Sequence, residues 1–268
     1  MAEAKPDIFG LPPVSEMMRE AGLSPKKSLG QNFLFDLNLT RKIARMVPDI
    51  KNSVVLEVGP GPGGLTRALL ECGAKKVVAV EKDKSALPIL ERIRAASGGR
   101  LEIISADALK NPQSTVDSIC ANLPYNIGTE LLARWLHDPK IKSMTLMFQK
   151  EVAERIVARP GGRQYGRLSV LAALGWRAKI LFNVPNTAFV PAPKVQSAVV
   201  QIVPDGKSYD IEKVEKLSAL LFGRRRKMIR GIMPDVDWKK FGLTGKERAE
   251  QLSPEKFAEM ALLVNKKS

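Results

Sequence analysis

Four residues in the middle of the chain have types and spacing that can do chemistry. Asn122, Leu123, Pro124 and Tyr125 follow the apolar run VDSICA, in the stretch CANLPYNIG at 120–128. A turn would use Asn and Pro but has no need of Tyr. The Asn122 side-chain carbonyl is one hydrogen-bond acceptor, and the backbone carbonyl of Leu123 or of Pro124 is a second. Two acceptors can hold an exocyclic amine with its nitrogen lone pair directed at an electrophile. Tyr125 offers a π-face on which a base can stack. Such a site works by positioning and requires no strong general base.

A second group lies upstream. EVGPGPGG, residues 57–64, joins an apolar run to a helical pattern. Its glycines let the backbone turn tightly and approach a ligand, and the N–H groups of the following helix face the same place. Gly59, Gly61 and Gly64 satisfy G-x-G-x-x-G, so NAD stands as an alternative on this motif alone. Glu81, about 20 residues on, falls where a ribose needs a bidentate acceptor. Asp107, in SADAL, is either a helix cap or an acceptor for the exocyclic amine of an adenine. Glu81 and Asp107 together describe an adenosyl group without requiring a pyrophosphate, which suits S-adenosylmethionine and its sulfonium methyl.

These residues need a frame. Apolar runs at 53–59, 75–83, 101–107, 116–122 and 143–149 read as strands, and the helical patterns 64–73, 85–97 and 129–138 lie between them. Strands alternating with helices of this length predict an α/β fold, a parallel sheet with helices on both faces. Ligands in such sheets bind at the carboxyl ends of strands, where Glu57, Gly59, Glu81, Asp107 and Asn122 fall. Ahead of the first strand, 36–47 reads as a helix capped by Asp36, and residues 1–25 form an N-terminal extension with a short amphipathic piece at 14–22. After residue 150 come helical patterns at 150–158 and 166–175, then strands at 178–184 and 197–203 joined by the loop PNTAFVPAPKVQ. Pro191 and Pro193 stiffen that loop, which is expected to expose Phe189 as the second face of a base sandwich. The rest reads as helix, 211–233 and then 253–264 with Ser253 as N-cap and Pro254 at the first helical position. A boundary at 204 is expected to separate a larger α/β domain, 1–204, from a small, mostly helical one, 205–268.

Charge indicates the partner. Lys and Arg number 43 against 28 Asp and Glu, a formal net charge of +15, with a pI near 9.9. This excess favours a polyanion bound through phosphate contacts and counterion release. The cations cluster at Lys26 with Lys27, at Arg163 with Arg167, in the run Arg224, Arg225, Arg226 and Lys227, and at Lys266 with Lys267. If RRRKMIR is helical, Arg226 and Arg230 share a face, where like charges repel unless phosphate is present. No apolar run approaches the ~18 residues of a membrane span, and the start MAEAKPDIFG has no apolar core of a secretory signal. Cys72, Cys120 and the lone His137 give neither a disulfide framework nor a metal spacing. A cytoplasmic protein with no metal is expected.

The motifs resemble the ribosomal RNA adenine dimethyltransferases, of the bacterial kasugamycin-resistance type. KKSLGQNFL, LEVGPGPGGLT, VEKD, ADAL, NLPYNI, FQKEVAERI, YGRLSV, VPNTAFVPAPKVQSAVV and FGRRRKMIR carry the resemblance, in order, from residue 26 to 230. It implies a Rossmann-like methyltransferase sheet, a small helical C-terminal domain and S-adenosylmethionine as cofactor. It implies N6,N6-dimethylation of two adjacent adenosines near the 3′ end of small-subunit rRNA, in a pre-ribosomal particle, by an enzyme expected to be monomeric. It implies cofactor contacts from Asn32, Leu34, Gly59, Glu81, Asp107 and Asn122, and an adenine clamp of Tyr125 and Phe189. The related large-subunit enzymes of the erythromycin-resistance type, and non-catalytic assembly factors on the same fold, are the competing implications. YGRLSV and TAFVPAPKVQSAVV favour the small-subunit type, and an intact NLPY and glycine loop favour activity.

Overall fold

A computed structural model describes residues 7–26, 30–110 and 116–262. The chain runs α1 (Val14–Glu20), β1 (Phe33–Leu34), α2 (Leu37–Ala44), β2 (Val54–Val58), α3 (Gly64–Glu71), β3 (Lys76–Glu81), α4 (Leu87–Ala96), β4 (Leu101–Ser105), β5 (Ser118–Asn122), α5 (Gly128–Trp135), β6 (Ser143–Gln149) and α6 (Lys150–Ile156). It continues through α7 (Arg167–Ala173), β7 (Trp176–Val184), β8 (Phe189–Val190), β9 (Ser197–Pro204), α8 (Ile211–Phe222) and α9 (Pro254–Ala261).

Seven strands form one sheet in the order β4-β3-β2-β5-β6-β9-β7. β2 pairs in parallel with β3 and with β5, β3 with β4, and β5 with β6. Helices cover such strands on both faces, so their sequences are continuous apolar runs rather than alternating ones; Val55, Leu56, Val77, Val78, Ile119 and Cys120 are all buried. From β2 the chain steps one way to β3 and β4, then returns to lay β5 on the other side of β2. That reversal is a topological switch point, and a crevice opens there at the carboxyl ends of the strands.

Contacts divide the chain into two compact units. The first comprises Met1–Leu131, Pro139–Lys150 and Ile180–Gln201. Its core joins Val55, Leu69, Ile89, Ile93 and Val199 with Met17 of α1. The N-terminal extension is held to this unit by Arg67, which is buried and donates Nη1 to the carbonyls of Leu11 and Pro12. Asp36 caps α2 as expected, its Oδ1 accepting from the Asn38 and Leu39 N–H groups at 2.8 and 3.2 Å.

The second unit comprises Leu132–Asp138, Glu151–Lys179 and Ile202–Ser268, so it draws on segments well before the expected boundary at 204. The reason lies in Tyr165, fully buried, which donates its hydroxyl to the Leu252 carbonyl at 2.9 Å and sets its ring edge-on to Phe222. Phe222 stacks in turn on Phe257, with centroids 5.6 Å apart. Residues near 165 therefore belong to the core that α8 and α9 build. Ser253 caps α9, with Pro254 in the first turn.

The expected helix 211–233 is shorter. α8 stops at Phe222, with Gly223 at its C-cap, and 224–228 is irregular. The following backbone has other partners: the Ile229 N–H donates to the Glu247 carbonyl and that of Arg230 to Gly245, while Met228 bridges Arg248. Arg226 and Arg230 thus do not share a helix face.

Candidate functional site

A cavity of about 240 Å³ opens at the switch point. Asn32, Leu34, Gly59, Gly61, Glu81, Asp107, Asn122, Leu123, Pro124 and Tyr125 all line it. The structure thus gathers, from five separate segments, every residue expected to touch cofactor or target base except Phe189.

Phe189 is a correction. It was expected on an exposed loop, yet it is 2% exposed and packs in the core of the first unit. β8 pairs antiparallel with β1, setting Leu34 opposite Phe189 and Phe33 opposite Val190. Side chains alternate across a strand, so Val190, 49% exposed, takes the outward position. Phe189 supports the β1 segment and does not line the cavity.

The glycine loop is shaped by what surrounds it. Gly61 has φ +54°, and a Cβ there would lie 2.7 Å from Cε1 of Phe33. At Gly64 a Cβ would lie 2.8 Å from the Leu34 carbonyl oxygen. The β1 segment therefore closes directly onto the loop, and a side chain at either position would push it away. The Gly61 N–H donates to Glu81 Oε2 at 2.9 Å, and the Asp83 N–H donates to Oε1 at 2.7 Å. The Glu81 carboxylate keeps acceptor capacity for a further donor. Burial pushes the Glu81 carboxyl above its ordinary range, against the pull of the Asp83 and Gly61 N–H groups.

Asp107 is half-buried and carries an ion pair with Lys82, Nζ to Oδ2 at 2.9 Å. That bond, with the Leu109 N–H, holds its carboxyl below the usual range. It serves as a local cap through Oδ1, the first of the two sequence alternatives, and it lines the cavity as well. Glu57 lies beneath the loop, 2% exposed, accepting from the Thr66 hydroxyl at 2.6 Å. Burial pushes its carboxyl up to about 8.

At the chemical end, Asn122 Nδ2 donates to the Asn32 backbone carbonyl at 3.2 Å. A carbonyl only accepts, so the partner must be the NH2 side of the amide. Oδ1 is thereby fixed as the available acceptor. Pro124 O already accepts from the Ile127 and Gly128 N–H groups at 3.2 and 3.1 Å. Of the two backbone carbonyls left open by the sequence, the Leu123 carbonyl is therefore the one available. Tyr125 is half-buried and shares a 2.9 Å hydrogen bond with the hydroxyl of Ser197, which is fully buried. Burial raises the Tyr125 phenol, with the Ser197 bond opposing.

The cation clusters have mixed fates. Lys26 is bound to Asp83 at 2.7 Å and to Ser85 at 2.9 Å. Arg225 donates to Glu250 at 2.7 Å and to the Arg163 carbonyl at 2.9 Å, so it braces the second unit. Arg167 pairs with Glu215. Arg224, Arg226 and Lys227 are exposed. Lys27, Lys266 and Lys267 lie outside the described residues. Sequence reasoning missed Gln31, Asp83 and Ser197. Gln31 and Asp83 lie within the recognised QNFL and VEKD motifs, but they bond to each other across 52 positions of sequence.

Comparison with known proteins identifies the family. Residues 22–266 match the family described as ribosomal RNA adenine dimethylase. A protein of Chelativorans sp. (strain BNC1) named ribosomal RNA small subunit methyltransferase A is 52% identical over 270 residues, covering 94% of this chain and 98% of its own. One of the same name from Agrobacterium fabrum is 50% identical, covering 95% and 98%. The crystal structure of a dimethyladenosine transferase from Plasmodium falciparum superposes with a TM-score of 0.76 at 28% identity, covering 88% of this chain and 98% of that one. That of the 23S rRNA methyltransferase ErmE gives 0.67 at 23%, covering 86% and 98%, a likeness of fold.

Proposed function

The chain belongs to the ribosomal RNA adenine dimethylase family and is a methyltransferase; from that premise we propose that it converts two adjacent adenosines near the 3′ end of small-subunit (16S) rRNA to N6,N6-dimethyladenosine, with S-adenosylmethionine as methyl donor. The cofactor supplies an electrophilic methyl group on a sulfonium. The cavity residues suit it: the Glu81 carboxylate can accept from the ribose hydroxyls, and the half-buried Asp107 can accept from an adenine amine. The glycine loop permits close backbone approach, with Asn32 and Leu34 on the facing wall.

The observation that carries the proposal is the fixed pair of acceptors beside an aromatic face. Asn122 Oδ1 and the Leu123 carbonyl take the two N–H bonds of the target amine, which turns its lone pair away from both and towards the methyl group. Tyr125 holds the flipped base by stacking. After transfer, the nitrogen releases its extra proton to water or to these acceptors. The remaining N–H still has an acceptor, so a second transfer can follow at the same place. Arg224, Arg226 and Lys227 serve as phosphate contacts, within a helical RNA-binding region at 205–268. The substrate is RNA in a pre-ribosomal particle, met by a monomer in the cytoplasm. Among the described residues, no helix is long and apolar enough to cross a membrane.

The test is calorimetric binding of S-adenosylmethionine, then single-turnover transfer to 16S rRNA lacking the modification. Wild type should bind the cofactor and methylate. Asn122→Ala should remain folded but transfer on the order of a hundredfold more slowly, like an enzyme stripped of one preorganised polar group. Equal binding of NADH, or normal transfer by Asn122→Ala, would overturn the proposal.

A further inference from the structure

We propose that Asp83 is a positioning residue that locks the cofactor half of the cavity to the methyl-acceptor half, with Lys26 and Gln31 as its partners. The proposal rests on the assignment of the cavity given above. Asp83 is 4% exposed, and both of its carboxylate oxygens accept hydrogen bonds. Oδ1 accepts from Lys26 Nζ at 2.7 Å, from the Ser85 hydroxyl at 2.6 Å and from the Ser85 N–H at 3.0 Å; Oδ2 accepts from Gln31 Nε2 at 3.0 Å. Gln31 Oε1 accepts in turn from the Lys26 N–H at 2.8 Å. Burial alone would raise the Asp83 carboxyl, but the bonds from Lys26, Ser85 and Gln31 outweigh it and hold the group ionised, well below the usual carboxylate range.

Connectivity turns this cluster into a coupling device. On one side, the Asp83 backbone N–H donates to Glu81 Oε1, the carboxylate assigned to the ribose. On the other, Gln31 lies one residue before Asn32, whose carbonyl fixes the amide of Asn122. A single buried carboxylate therefore sets the β1 approach segment against the end of β3, and through it the orientation of the acceptor that holds the target amine. Charge-assisted bonds are the strong kind, and removing one partner of a buried charge leaves the other uncompensated. Lys26 is reassigned by this geometry. The sequence placed it among phosphate contacts, but its ammonium is committed to Asp83 and acts on the site.

The test uses Lys26→Ala and Gln31→Ala, both half-exposed or exposed positions where folding should survive, alongside Asp83→Asn and a conservative Lys26→Arg. Circular dichroism checks the fold of each. Calorimetry should show S-adenosylmethionine binding weakened by roughly threefold to tenfold in Lys26→Ala and Gln31→Ala, as expected for one partly exposed charged or polar bond. Lys26→Arg should recover most of it. The salt slope of RNA binding should not change in Lys26→Ala, whereas loss of a phosphate contact would flatten it by about one. Gln31→Ala should slow single-turnover transfer in the wild type but have no further effect in an Asn122→Ala background, since it acts through that amide. A flattened salt slope with unchanged cofactor affinity would return Lys26 to the RNA surface and overturn the inference. Additive effects of Gln31→Ala and Asn122→Ala would overturn it too. If wild type itself neither binds nor transfers, the assignment of the cavity fails, and this inference with it.

Discussion

Replacing Tyr125 by Phe separates two roles of one side chain. The residue lines the cavity, and its hydroxyl reaches Ser197 at 2.9 Å. Ser197 is fully buried and has no other side-chain partner among the described hydrogen bonds. Tyr125→Phe therefore strands a buried hydroxyl, at a cost of about 1–3 kcal/mol. Ser197→Ala instead leaves the phenol oxygen of a half-buried residue that water can still approach, so its cost should lie near the net value of one neutral hydrogen bond, about 0.5–1.5 kcal/mol. Neither change removes the ring. Tyr125→Ala does, and forfeits base stacking of about 1–3 kcal/mol, roughly tenfold to a hundredfold in capture of the target base. Urea unfolding and single-turnover methyl transfer read the two effects apart. In stability, Tyr125→Phe should fall below Ser197→Ala, and Ser197→Ala below wild type. In transfer, Tyr125→Phe and Ser197→Ala should stay within a few-fold of wild type, with Tyr125→Ala far slower. If Tyr125→Phe transfers as slowly as Tyr125→Ala, the hydroxyl takes part in the chemistry and the stacking account is wrong. If Tyr125→Phe is as stable as wild type, the bond to Ser197 contributes nothing.

Gly61→Ala should abolish cofactor binding in calorimetry, because its Cβ would meet Phe33 at 2.7 Å and φ +54° disfavours a side chain by about 1–2 kcal/mol; retained affinity would mean that the loop is not closed by β1. Among the arginines, Arg225→Ala should lower the unfolding midpoint through loss of its bond to Glu250, whereas joint replacement of Arg224, Arg226 and Lys227 by Ala should leave stability alone and flatten the salt dependence of RNA binding. Glu57, held protonated in the fold up to about pH 8, ionises at lower pH when unfolded. Its stabilising contribution is full in acid and declines by up to about 1.4 kcal/mol per pH unit as pH rises towards 8. Chemical unfolding at a series of pH values should show a shallower decline in Glu57→Gln.

What the sequence revealed follows from the physics of parallel sheets. The strands at 53–59, 75–83, 101–107 and 116–122 announce themselves as buried apolar runs, and in such a sheet their carboxyl ends must converge. Glu81, Asp107 and Asn122 could therefore be gathered from strand order alone. Phe189 failed because burial there comes from pairing with Leu34, more than 150 residues away, and the Asn, Thr and Pro around it carry no trace of that partner. The helix expected to run on through Arg224 to Lys227 stops at Phe222 because the backbone just beyond, at 228–230, bonds to 245–248, outside any local pattern. Lys26 looked like a free cation for the same reason: Asp83 is 57 positions on. Tyr165, which draws residues before 204 into the second unit, is equally silent in sequence, since its hydroxyl partner is the backbone of Leu252.

The most direct measurement is mass spectrometric mapping of 16S rRNA, in small-subunit particles from cells lacking this protein, before and after incubation with it and S-adenosylmethionine. The account predicts that two adjacent adenosines near the 3′ end each gain two methyl groups at N6, with wild type and not with Asn122→Ala. Methylation confined to large-subunit rRNA, or no methylation by a folded wild-type protein, would contradict it.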